Sequence, residues 1–166
     1  MRTLSVGKRD SRAASGVTLI EMLVVVALIS IMVGISYPSV TSGLDTLRLN
    51  SAAQSIVSLI NTGVSWAERR QQVVQVSIAR GENALYLRTS GVGLERKLEL
   101  PDGITIEGVL PEGPSQDSSG TRNIMLYPGG TVPAFGVAIV NRRRAERVVR
   151  VDPITGVPQV ENPANK

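Results

Sequence analysis

The sequence predicts an α+β protein: a long N-terminal helix, its first half suited to lipid, packed on a C-terminal antiparallel β-domain of about seven strands. Three observations carry this reading. Residues 17–35 form a 19-residue apolar run. Apolar residues then recur in steps of three and four as far as Ala67, the spacing of one helical face. From Val73 the pattern changes to short runs of β-forming residues separated by turn residues, which is how antiparallel sheet is written.

The apolar run comes first in the chain. At ~1.5 Å per residue it is about as long as a bilayer's hydrocarbon core is thick. Residues 1–16 carry Arg2, Lys8, Arg9 and Arg12 against Asp10, while the remaining 150 residues hold 14 basic and 13 acidic side chains. Most of the basicity thus precedes the run, which predicts that this end stays cytoplasmic and the rest crosses. Glu21 interrupts the run between Ile20 and Met22. A carboxylate in hydrocarbon costs roughly 2–4 kcal/mol, so its presence asks for a reason. A secretory signal has a shorter apolar core closed by an A-x-A-like site, and no such site follows here. A plain anchor accounts for the length. It explains neither Glu21 nor the small residues Ala13-Ala14-Ser15-Gly16 placed before the span.

Past the run, Leu44, Leu47, Ala52, Ile56, Leu59, Ile60, Gly63 and Ala67 make one stripe, with Asp45, Arg48, Gln54, Ser58 and Asn61 on other faces. A helix from Val17 to about Gln71 would be roughly 80 Å long. Gly34, Ser36, Pro38 and Gly43 mark a weak point between its halves, and Pro38 is the expected kink. Seven strand-like runs follow, at 73–80, 84–90, 96–100, 103–109, 123–128, 136–141 and 146–152. Turn residues separate them at 81–83, 101–103, 128–130 and 152–156. Residues 111–122 read as a mobile loop and 161–166 as a frayed tail.

Composition narrows the chemistry. The chain has no cysteine and no histidine, which removes disulfides, thiolate and imidazole metal sites and Ser–His or Cys–His catalysis. Aromatics are 3% of residues, too few for a base-stacking platform. Asp102, Asp117 and Asp152 stand in turn-like sequence, and Glu95 and Glu99 are four apart on a strand, hence on one solvated face. No phosphate loop, G-x-S-x-G or metal spacing occurs. The expectation is a non-enzyme without cofactor or metal.

"Gly16-Val17-Thr18-Leu19-Ile20-Glu21-Met22-Leu23-Val24-Val25" resembles the processing and assembly motif of type IV pilins and type II secretion pseudopilins. The resemblance implies cleavage by a prepilin peptidase between Gly16 and Val17, N-methylation of Val17, and an assembly role for Glu21. Pro38 falls where many members have proline. Val17 departs from the usual phenylalanine. Within such an assembly the new α-amine of one subunit would approach Glu21 of its neighbour, and a paired carboxylate is tolerated where an unpaired one is costly. The competing reading is a glutamate near the span's end that snorkels to the headgroups.

The later pieces "ERRQQVVQVSIARG", "RKLELPDGITI", "IMLYPGG" and "VVRVDPITGVPQV" are similar, in their order, to the H-type minor pseudopilins (GspH) and FimT-like minor pilins. That completes the fold expectation as pilin-like. A major pseudopilin usually carries a calcium-binding loop near its C-terminus, and Asp152 stands without the carboxylates such a loop needs. The chain divides accordingly: 1–16 a cleaved cytoplasmic leader, 17–37 the transmembrane half of the helix, 38–71 its amphipathic periplasmic half, 72–160 the β-domain and 161–166 the tail. The resemblance implies a single-pass protein of the inner membrane that later enters the pseudopilus. Its partners would be the prepilin peptidase, other major and minor pseudopilins and the inner-membrane assembly platform.

Two alternatives stand beside it. One is a membrane-anchored periplasmic protein outside any filament. The other is a FimT-like minor pilin that binds DNA for uptake, with Arg142, Arg143 and Arg144 of "NRRRAERVVR" as the phosphate contacts. The plainer reading of those arginines is a hairpin turn, with Arg147 and Arg150 on the strand after it paired with acids or solvated.

Overall fold

The computed structural model describes residues 16–89, 91, 93–111, 120–130 and 132–163. The leader residues Ala13, Ala14 and Ser15 and most of the expected loop at 111–122 lie outside these. The chain divides into two compact units, Met1–Val40 and Thr41–Lys166. Helix α1 (Leu19–Arg70) contributes to both.

In the first unit, large apolar side chains from Val17 to Ile35 are exposed on every face of α1. A helix that is apolar all round and covers nothing in its own chain is built for an apolar solvent. Its one stretch long and apolar enough to cross a membrane is Leu19–Ser36. Ser30, inside that stretch, donates its hydroxyl to the Val26 carbonyl at 2.8 Å, so the polar group is satisfied within the helix. The backbone is helical through Pro38. The side chains of residues 37–42 lie outside those described.

In the second unit, α1 turns an apolar face inward: Leu49, Ala52, Ala53, Ile56, Leu59, Ile60 and Ala67 are all buried. Leu44 and Leu47, expected at the head of this stripe, are instead exposed (47% and 65%). The spacing alone could not tell where the sheets begin to cover the helix. At Gly63 the helix lies close against the first sheet. A Cβ there would lie 2.8 Å from Leu87 Cδ1, 3.1 Å from Leu126 Cδ1 and 3.6 Å from Val74 Cγ1. The helix ends at Gln71, whose φ of 53° breaks the helical course. Its side-chain amide donates to the Glu68 carbonyl at 2.8 Å, and Glu68 Oε1 accepts the Gly129 N–H at 3.1 Å. Both interactions tie down the helix end.

Eight strands follow, one more than the sequence suggested: β1 (Val74–Ala79), β2 (Ala84–Thr89), β3 (Glu95–Glu99), β4 (Ile104–Leu110), β5 (Thr121–Leu126), β6 (Phe135–Asn141), β7 (Glu146–Val151) and β8 (Pro158–Glu161). They form two antiparallel four-stranded sheets, ordered β3-β2-β1-β5 and β4-β6-β7-β8. β5 begins at Thr121, two residues before the expected start. The tail expected from Glu161 begins later, because Glu161 pairs with Val148 in the β7–β8 ladder.

The alternation along β1 explains the layering. Val74, Val76 and Ile78 point into the core, while Gln75 and Ser77 bond Asn123 across the outer face at 2.9 and 2.6 Å. Leu85 and Leu87 of β2, Ile124 and Leu126 of β5, and Val137, Ile139, Val149 and Val151 of the second sheet join the helix residues in a continuous core. Asn83 links the two sheets. It sits in the β1–β2 turn at φ 52°. Its side chain donates to the Ile104 carbonyl at 2.7 Å and accepts from the Ile106 N–H at 2.9 Å.

Candidate functional site

Two places bear on function: the start of α1 and the β6–β7 hairpin. Gly16 is exposed, and a Cβ built on it would meet nothing within 4 Å. Residues 16–18 precede the first helical turn without regular structure. Thr18 is the N-cap. Its Oγ1 accepts the Glu21 N–H at 3.3 Å, and its carbonyl accepts the Met22 N–H at 3.2 Å. Glu21 is therefore the third helical residue, where a carboxylate faces the positive end of the helix dipole. T-x-x-E is the capping-box spacing. That signal is present in the sequence, and neither the assembly reading of Glu21 nor the snorkelling one makes use of Thr18. The bond on the page is the one Thr18 makes. Glu21's side chain is left exposed, close to where a cut after Gly16 would create a new amine.

This arrangement has a physical consequence. Of the ways to keep a carboxylate at the edge of an apolar helix, the N-terminal turn is the least costly, because the negative group meets the dipole's positive end. The Glu21 side chain is exposed there.

The β6–β7 hairpin is held by its own backbone. Asn141 N–H donates to Ala145 O and Arg144 N–H to Asn141 O, each at 3.0 Å. Asn141 Oδ1 also accepts the N–H groups of Arg143 and Ala145, both at 2.9 Å. Arg144 takes φ 64° at the turn. Arg142, Arg143 and Arg144 are exposed. The five arginines do not act as one patch. Arg143 Nε lies 3.3 Å from Asp45 Oδ2 on α1. Arg147 bonds Asn50 and Asn162 at 3.1 and 3.2 Å, and Arg150 pairs with Glu161 at 3.1 Å. Arg142 lies across Gly103, where a Cβ would come within 2.8 Å of its Nε.

The acidic residues weighed in the sequence have local tasks. Asp152 Oδ1 accepts the N–H of Ile154 at 2.7 Å and of Thr155 at 3.4 Å, an Asx-type turn. Glu95 pairs with Arg88 at 3.0 Å and Glu99 with Lys97 at 2.5 Å. The hydrogen bond from Lys97 holds the Glu99 carboxyl below the usual range, and the same contact raises Lys97. Tyr86 is raised mainly by its bond to Glu82. Among the described residues no three His, Cys, Asp or Glu side chains converge as a metal site would require. One side of α1 carries an open groove past Asn61, Ser65 and Trp66. There Arg70 stacks 5.3 Å from the indole centre.

Comparison with known proteins agrees with this geometry. Residues 11–37 match the prokaryotic N-terminal methylation motif. The structure is similar to that of the minor pseudopilin EpsH from the type 2 secretion system of Vibrio cholerae, with a TM-score of 0.56 and 14% identity over 70% of this chain and 98% of that one. The type IV minor pilin FimU of Pseudomonas aeruginosa also matches, with a TM-score of 0.49 and 14% identity over 74% of this chain and 93% of that one. No curated protein matches the sequence. The chain thus joins a prokaryotic N-terminal methylation motif to an α+β fold similar to that of EpsH.

Proposed function

We infer that this protein is a minor pseudopilin: a structural subunit of a type II secretion pseudopilus that primes assembly or stands near the tip. The observation that carries the reading is the methylation motif at 11–37 on a chain whose fold is similar to that of the minor pseudopilin EpsH. The precursor is held in the inner membrane by Leu19–Ser36, with the β-domain in the periplasm. The prepilin peptidase cuts after Gly16 and Val17 is methylated. The mature helix then enters a filament of major and minor pseudopilins built on the inner-membrane platform. Glu21, at the first turn of α1, receives the α-amine of a neighbouring subunit and sets the register. The commitment of Asp152 to its own turn supports a minor subunit, since a calcium loop would need that region's carboxylates for the ion.

Intact mass of the protein from cells with and without the peptidase tests this. Loss of residues 1–16 with one added methyl is the expected result, and Gly16→Leu stays uncut. A native protein still starting at Met1, or cut near Ser36, rejects it. A deletion strain then separates secretion from pili: loss of protein export supports the pseudopilus, and loss of pili or transformation supports the FimT-like reading.

A further inference from the structure

We propose that the β6–β7 hairpin is a docking surface for the anionic headgroups of the membrane that holds the chain's own apolar helix. The inference rests on the membrane-anchored reading above. Arg142, Arg143 and Arg144 stand exposed on a turn fixed by four hydrogen bonds, two of them to the Asn141 side chain. Their backbone is ordered before any ligand arrives, so binding costs little entropy there.

The ion pair of Arg143 with Asp45 fixes where this turn sits in the second unit. It lies against the first turns of that unit's share of α1. The same turns expose Leu44 and Leu47, and Arg48 is exposed beside them. Exposed leucines among arginines suit a headgroup layer, where the apolar groups enter and the cations meet phosphate. They do not suit a nucleic-acid groove, and aromatics at 3% of the chain are too few for base stacking beside them.

The tether supplies the third argument. Leu44 stands eight residues after Ser36, the end of the apolar stretch. In any conformation eight residues reach at most about 28 Å. The turn is thereby confined near the bilayer, and weak contacts count because the effective concentration is high. Arg142 and Arg144 should each contribute about fivefold in affinity for an anionic surface. Arg143 contributes less, since Asp45 already shares its charge. Before assembly such contacts would hold the β-domain against the membrane, and extraction into a filament would release it.

The chain has no cysteine, so a fluorophore on Thr105→Cys labels one site. Thr105 is exposed and pairs with Val140, one residue from Asn141 at the hairpin's base. The full chain is placed in nanodiscs containing headgroup-quencher lipid, either zwitterionic or one-third anionic. Expected is quenching several-fold stronger in anionic discs at physiological salt. It should be lost in Arg142→Ser/Arg144→Ser, which leaves the Arg143–Asp45 pair and the four hydrogen bonds of the turn in place, and reduced by Leu47→Ser. Equal quenching in the two discs, or no change in the double variant, overturns the proposal while leaving the anchored reading intact. Failure of the chain to stay in the discs after an alkaline wash overturns both. Micromolar duplex DNA binding to the chain in zwitterionic discs and stripping the hairpin from anionic ones overturns it in favour of a nucleic-acid surface.

Discussion

Thr18 Oγ1 accepts the backbone N–H of Glu21 at 3.3 Å, so the residue that opens α1 also positions the carboxylate proposed to guide assembly. The two tasks of this turn separate by substitution. Glu21→Gln keeps a capping-box side chain and removes the charge. If the charge meets a neighbour's amine, Glu21→Gln is stable in the membrane and absent from crosslinked or co-purified pseudopilins. If Glu21 only caps its own helix, Glu21→Gln incorporates normally and the assembly role is wrong.

Thr18→Ala removes the cap alone. The expected loss is about 1 kcal/mol of local helix stability. Hydrogen exchange of the Glu21 amide in micelles should then run about fivefold faster, with the amides of the second unit unchanged.

Gly63 predicts a size limit on the helix–sheet contact. Gly63→Ala places its methyl against the mobile ends of Leu87 and Leu126. It also gains helix propensity of about 1 kcal/mol, so it should stay within about 1 kcal/mol of the parent. Gly63→Leu overpacks the same place and should cost roughly 2–3 kcal/mol. Denaturant midpoints of the detergent-solubilised chain check both. Equal midpoints for Gly63→Leu and the parent would show that α1 does not approach the sheet this closely.

Asn83 serves through its backbone angle and its side chain. Asn83→Gly keeps the positive φ at no steric cost but abandons the bonds to Ile104 and Ile106, for about 2 kcal/mol. Asn83→Ala loses the bonds and adds strain, for about 1 kcal/mol more. An order of stability with Ala above Gly would contradict the left-handed turn.

The Lys97–Glu99 pair predicts a titration. Glu99's carboxyl is lowered by Lys97. Its contribution is therefore present above the ordinary carboxylate pKa and lost as pH falls through the depressed value. Carboxyl-carbon NMR should show Glu99 titrating at lower pH than exposed glutamates, and Lys97→Gln should return it to their range. Both groups are exposed, so melting temperature should barely move.

Much of the fold was legible because period changes mark it. The apolar run, the helical stripe and seven strands each have a pattern that follows from how side chains alternate. β8 was missed because four residues beginning with Pro158 carry little pattern of their own. Its place comes from β7, where Val149 pairs with Val160 and Val151 with Pro158. Leu44 and Leu47 fitted the stripe, yet covering a helix is a property of the sheets and not of the helix. For the site, the local motif nominates Gly16, Val17 and Glu21, and their roles are the proposals above. The partners of Arg143 and Arg147 were not legible, because Asp45 and Asn50 lie some hundred residues earlier and no local spacing announces such a meeting.

The close seat of Gly63 over Val74, Leu87 and Leu126 also decides how force would travel. Sliding α1 along its axis by one turn would bring Ile60 or Ala67 to the place where a bare Cα now fits. The methyls of Leu87 and Leu126 would block Ile60 outright. A pull along the second unit's share of α1 is therefore taken in shear by three strands at once, β2, β1 and β5, and that part of the helix is keyed to its sheets like a notched shaft. Within the second unit, helix and sheets should therefore move together under load.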